Sequence, residues 1–194
     1  MRAFLLASVL GLALAGQARA EVFGLSMGEP LAGHKVVETN RSGVSLLQSV
    51  PKPHPLFTSY WVDATKGQGL CRINAYSNVY EMDGYGDRAR EAYDRLVKAL
   101  TAKYGAGVAE EEVRAGGEVM KQPQFFTMGL QTGDRVHKTT WMREVDSTLP
   151  AELRAVVLRI EADDFNTPFL RVTYEFSNFL ACHAEQEAST AEVL

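Results

Sequence analysis

Alternation of apolar and polar side chains is clearest near the end of the chain. Leu153 to Ala162 sends Val156, Leu158, Ile160 and Ala162 to one side, and Phe169 to Asn178 does the same with Leu170, Val172, Tyr174 and Phe176. That is the two-residue period of half-buried strands. Phe57 to Ala64 and Leu70 to Tyr80 flank the turn-forming segment Thr65 to Gly69 and predict an antiparallel hairpin, with Cys71, Ile73, Ala75 and Val79 on its inward side. The period then changes. Ala89, Ala92, Tyr93, Leu96, Val97, Leu100 and Tyr104 recur at three- and four-residue spacing until Gly105, which predicts a helix over 87–104 with Asp87 as its N-cap.

Other segments carry shorter signals. Val22 to Leu31, His34 to Thr39 and Gly43 to Val50 read as strands, and Pro51, Pro53 and Pro55 mark an extended connector. Val108 to Met120 is open between a helical turn and a hairpin at Gly116-Gly117. Phe125 to Leu130 and Val136 to Val145, flanking Gln131 to Asp134, predict another hairpin, and Phe179 to Glu192 predicts a C-terminal helix carrying Cys182. Together these elements predict an α+β fold: an antiparallel sheet of five to seven strands, with one long helix and a shorter C-terminal helix packed on one face. No internal repeat or linker interrupts residues 21–194, which are expected to form a single domain.

The first twenty residues stand apart. Arg2, an apolar run from Ala3 to Ala15 and Ala18-Arg19-Ala20 have the three-part layout of a secretory signal peptide, with cleavage expected after Ala20. The run is shorter than the roughly 20 residues that span a bilayer, so no membrane span is expected after cleavage. This layout predicts export to the periplasm. Removing Arg2 and Arg19 leaves 18 Lys and Arg against 24 Asp and Glu, a balance of −6, which argues against nucleic acid as a partner. Cys71 and Cys182 both survive cleavage. In an exported chain a disulfide between them is the leading reading over two buried thiols.

Candidate catalytic patterns fail on context. Gly24-Leu25-Ser26-Met27-Gly28 spells the GxSxG nucleophile elbow, but it lies three residues past the expected cleavage point and runs into Glu29-Pro30, where the elbow requires a buried strand before it and a helix after it. His34, His54, His137 and His183 are dispersed, with no spacing that would place two imidazoles on one metal, and Asp163-Asp164-Phe165-Asn166 lacks the calcium-loop spacing. No cofactor, metal or catalytic set is predicted. Phe23-Gly24-Leu25-Ser26-Met27-Gly28, with Cys71-Arg72-Ile73 and Ala102-Lys103-Tyr104-Gly105, resembles a group of small exported bacterial proteins without an established activity. The resemblance implies a periplasmic address in a Gram-negative bacterium and transfers no functional residue.

One surface is unusual. The outward side of the Leu70 to Tyr80 strand carries Arg72, Asn74, Tyr76, Asn78 and Tyr80, rich in Tyr and Asn for a wet face, and Tyr60 and Trp61 could join it. These residues predict a binding face for a protein, peptide or envelope component on a non-catalytic module. The alternative is a small exported hydrolase that groups His54, His137 or His183 with acids distant in sequence.

Overall fold

The computed structural model describes residues 20–114, 116–145 and 148–191. Among them, two four-stranded antiparallel meanders join edge to edge. The first comprises β3 (Val36–Thr39), β4 (Ser45–Leu47), β5 (Phe57–Thr65) and β6 (Gly69–Ser77); the second comprises β7 (Val108–Val113), β8 (Arg135–Met142), β9 (Leu153–Ala162) and β10 (Pro168–Phe176). The sheet order is β3-β4-β5-β6-β10-β9-β8-β7, so β6 and β10 meet at the centre. A small ribbon of β1 (Glu21–Val22) and β2 (Leu25–Ser26) precedes them. The α+β class is as expected. The strand count is not: eight strands form the main sheet where five to seven were predicted, because the ambiguous segment 108–113 pairs with β8 and the short runs at 36–39 and 45–47 both join.

Helix α1 (Asp87–Tyr104) follows the first meander and crosses to pack on β9 and β10, burying Ala89, Ala92, Tyr93, Leu100 and Tyr104. Its N-cap is not Asp87 as expected but Gly86 in the left-handed region. The carboxylate of buried Asp83 reaches forward instead and accepts the Ala89 N–H at 3.1 Å. That satisfies an amide the first turn leaves without a helical partner.

Segment 125–130 departs furthest from expectation. It forms helix α2 (Phe126–Thr132) rather than a hairpin strand, and β8 takes β7 as its partner. Pro123 opens a 3-10 turn ahead of α2, Gly133 closes it in the left-handed region, and the Thr127 hydroxyl donates to the Asp83 carbonyl at 2.7 Å. These tertiary contacts outweigh the local strand propensity of Phe125, Phe126 and Thr127.

The face beneath α1 and α2 is the main core. Tyr60 and Val62 of β5, Ile73 and Ala75 of β6, Val156, Leu158 and Ile160 of β9 and Leu170, Val172, Tyr174 and Phe176 of β10 all point into it. Phe23 inserts from the ribbon with its ring edge-on to Tyr60 and Tyr174. Gly69 is required where the ribbon returns: a Cβ there would overlap the Gly28 backbone.

The third helix, α3 (Phe179–Ala191), corrects a second expectation. It does not lie beside α1. Its Phe179 ring packs on the Arg72 guanidinium and its Glu185 accepts hydrogen bonds from the Thr65 hydroxyl and the Gly67 N–H, which places it on the opposite face of β5 and β6. The cause is a bulge. Asp63 pairs with Arg72 but Ala64 pairs with Leu70, so Cys71 is the extra residue. The bulge breaks the alternation that had put Cys71 with Ile73 and Ala75, and turns its side chain toward α3. There it forms the expected disulfide with Cys182, across a Cα separation of 6.3 Å.

β7 carries Glu110, Glu111 and Glu112 along the sheet margin, where charge discourages pairing with another chain. Glu110 is paired with Lys138 at 2.8 Å.

Candidate functional site

Cross-strand register on the face away from α1 sets up three rows. The middle row runs Thr140, Val157, Thr173, Asn74, Trp61 and Leu46 from β8 to β4. On one side of it lie Lys138, Arg159, Arg171 and Tyr76, and on the other Glu175, Arg72 and Asp63. α3 covers one corner of this face. Beside that corner a cleft of about 260 Å³ is lined by Asn40, Val44, Trp61, Arg72, Asn74, Tyr76 and Arg171.

The cleft's polar groups are held in place. Arg72 grips the carboxylate of Asp63 with both arms of its fork, Nε to Oδ2 at 2.8 Å and Nη2 to Oδ1 at 3.0 Å, while Phe179 covers its other side. Burial works against the guanidinium charge, but the Asp63 hydrogen bond and charge outweigh it and raise Arg72 above its ordinary value. Thr173 donates to the Asn74 side-chain oxygen at 2.8 Å, fixing the orientation of that amide. Arg171 donates to Glu161 at 2.7 Å and lies over the Tyr76 ring. Such an arrangement can offer an amide, two guanidinium edges and two aromatic rings to an extended or planar ligand, with little rotamer entropy left to lose.

Of the five residues predicted from β6, the structure brings Arg72, Asn74 and Tyr76 together and separates the other two. The strand ends at Ser77, so the alternation lapses. Asn78 turns to accept a hydrogen bond from the Thr58 hydroxyl, and Tyr80 packs against the main core on the α1 side, where burial raises its phenol above the usual range. Trp61 joins the cleft. Tyr60, its neighbour, points into the core, accepts the His54 N–H and donates to the Phe57 carbonyl. Arg171 was missed. Its outward position was readable from alternation in β10, but the pairing of β10 with β6 was not.

The three histidines of the hydrolase reading have separate surroundings. His54 packs on Phe57, His183 lies near Glu187 on α3, and His137 sits between the rings of Tyr93 and Phe126 with Glu111 at 3.4 Å. No ion pair or hydrogen bond joins any two of them among the described residues. Ser26 of the GxSxG match sits in two-residue β2 followed by a turn, and Glu29 accepts its backbone N–H. Asp164 accepts the Asn166 N–H within an ordinary turn. Among the described residues no group of three or more His, Cys, Asp or Glu side chains could hold a metal, and no helix is long and apolar enough to cross a membrane.

His137 predicts a pH effect. Burial lowers its pKa below the ordinary 6.5, with the nearby Arg90 adding to the effect and Glu111 and Asp94 opposing it. A depressed histidine keeps its contribution to stability above the unfolded value and loses it as pH falls through the folded one, because the unfolded chain then binds the proton more readily. Urea denaturation should therefore show the wild type losing stability below about pH 6.5 more steeply than His137→Phe, which keeps an aromatic ring beside Tyr93 and cannot titrate. Equal slopes for the two proteins would reject this assignment.

Comparison of the chain with protein-family models, with curated proteins and with solved structures finds no match.

Proposed function

We propose that the protein is exported and serves in the periplasm as a non-catalytic binding module, engaging a protein, peptide or envelope component across the face that α1 leaves uncovered. The observation that carries this reading is the cleft in which Trp61, Tyr76, Arg72, Asn74 and Arg171 converge, with Arg72, Asn74 and Arg171 each held by a hydrogen-bonded neighbour. The signal-like layout of residues 1–20 and the disulfide, which forms and persists in oxidising compartments, support the address.

Affinity capture from periplasmic extract tests it with three single variants. Trp61→Ala and Tyr76→Ala remove cleft rings and are expected to lose a specific partner that the wild type retains. Tyr80→Ala lies on the opposite side of the sheet and is expected to keep it. Retention by both cleft variants, or equal loss by all three, would reject the proposed face.

A further inference from the structure

A cleft of about 270 Å³ opens on the α1 side of the sheet, where the end of α1, the β1–β2 ribbon and the proline connector meet beside β10. Phe23, Lys52, His54, Lys103, Tyr104 and Tyr174 supply its chemistry. It lies on the face opposite the cleft assigned above and shares no lining residue with it.

Its walls are set before any ligand arrives. Phe23 adopts a φ of 54°, in the left-handed region, which a bulky residue occupies only where its surroundings hold it there. Its carbonyl accepts the Lys52 N–H at 2.9 Å, and Gly24 sits so close to Pro51 that a Cβ would overlap it. The Phe23 ring stands edge-on to Tyr174, and Val22, Pro53 and Pro55 add apolar surface. An apolar cavity of about 150 Å³ already accepts a benzene ring, so this space admits a ring-sized body with a polar group attached.

The polar groups of the cleft lack protein partners. Tyr104 and Tyr174 are 2% and 8% exposed, yet neither hydroxyl makes a hydrogen bond among the described residues. Neither is sealed in the core: the surface they reach is the cleft that both line. A buried tyrosine ordinarily gives its hydroxyl to an acceptor, and leaving that group unpaired is costly. Burial, with Tyr104 adding to it, pushes the Tyr174 phenol well above its usual range, so it stays protonated and able to donate. Lys103 lies over the Tyr104 ring at 4.9 Å and forms no ion pair among the described residues. Lys52 is neutralised by Glu21, the one carboxylate in the lining. His54 accepts the Leu56 N–H on Nδ1, which leaves the ring proton of its neutral form on Nε2.

Two phenol hydroxyls and an unpaired ammonium in one place call for an acceptor that carries negative charge. One unpaired ammonium matches one charge, which favours a carboxylate over a phosphate dianion. We propose that this cleft binds a small organic carboxylate with a ring-sized apolar body. The carboxylate accepts from the Tyr104 and Tyr174 hydroxyls with Lys103 as its countercharge, and the body rests against Phe23 and the prolines.

Amide chemical-shift titration of the folded, disulfide-intact protein tests the proposal with three probes at ionic strength held constant with chloride. Sodium benzoate carries both parts, sodium acetate has the charge without the ring, and benzyl alcohol has the ring without the charge. Benzoate is expected to shift the Phe23, Lys103 and Tyr104 amides saturably, and to bind about tenfold or more tightly than either truncated probe. Tyr104→Phe/Tyr174→Phe keeps both rings and removes both hydroxyls. It should weaken benzoate about tenfold or more, the loss expected for hydrogen bonds to a charged group, and exposed Lys103→Gln should weaken it as well. Trp61→Ala, in the other cleft, should leave benzoate binding unchanged. Linear shifts, saturable shifts centred on Trp61 and Arg171, or affinity undiminished in both cleft variants would overturn the assignment. Equal affinity for acetate would overturn the apolar body, and equal affinity for benzyl alcohol the anionic group. The wild-type titrations decide by themselves if the tyrosine variant does not fold.

Discussion

Trp141→Ala is expected to destabilise the protein by about 3–5 kcal/mol, the range for emptying a buried tryptophan site. Trp141 has 0% of its surface exposed, lies opposite Val156 on β9, and donates its indole N–H to the Gly105 carbonyl at 3.0 Å. Gly105 ends α1, so this bond satisfies a carbonyl beyond the last helical turn. The ring also packs so closely against Gly107 that a Cβ at that position would come within 2.7 Å of it. Alanine would thus open a cavity, orphan a carbonyl and loosen the link between α1 and the second meander. Trp141→Phe keeps most of the bulk and loses the donor, and should cost distinctly less. Urea denaturation of both variants measures the difference. A loss below about 1 kcal/mol for the alanine variant would mean that the site collapses freely and that Trp141 is not the anchor of β8.

Removing the Cys71–Cys182 bond is the second large perturbation. The bond closes a loop of 111 positions, and the chain-entropy account assigns such a crosslink about 4–5 kcal/mol. The effect should be uneven across the molecule. Cys182 is the one fully buried side chain described on α3, and Glu185 on Thr65 and Gly67 and Phe179 on Arg72 add to its hold on the helix. A thirteen-residue helix is marginal by itself. In Cys71→Ala/Cys182→Ala, amides 179–191 should lose hydrogen-exchange protection while those of β6 and β10 stay protected, and the thermal midpoint should fall by about 10 °C or more. Retained protection of α3, or a midpoint unchanged within error, would show that packing and not sulfur holds the helix.

Release of α3 would also uncover the Arg72 guanidinium where Phe179 now lies. The disulfide therefore helps shape the cleft assigned to binding as well as stabilising the fold.

The parts of the fold legible in the sequence are those set by local periodicity. The bounds of α1 at Asp87 and Tyr104 match the expectation, and so do those of β9, because a three- to four-residue repeat or a strict alternation fixes which side chains share a face. The inward residues of β9 and β10 follow for the same reason, except Ala162, which is only half-buried at the strand end. Where local propensity conflicted with tertiary contacts it lost, as at Phe126–Thr132, where Thr127 is tied to Asp83, remote in sequence.

The candidate sites divide in the same way. Arg72, Asn74 and Tyr76 could be placed on one face from alternation within a single strand, and the partnership of Cys71 with Cys182 followed from their number and expected compartment. Strand order could not be read, since nothing local says that β6 lies beside β10; without it neither Arg171 in the first cleft nor the Lys138, Arg159 and Arg171 row can be seen. A one-residue bulge at Cys71 reversed the face of α3, and no periodic pattern contains that irregularity. Sequence alone determined which residues share a face within each element, because a backbone repeat is a local property. Tertiary structure alone decided which faces meet, because pairing between strands depends on hydrogen bonds and packing among residues roughly a hundred positions apart.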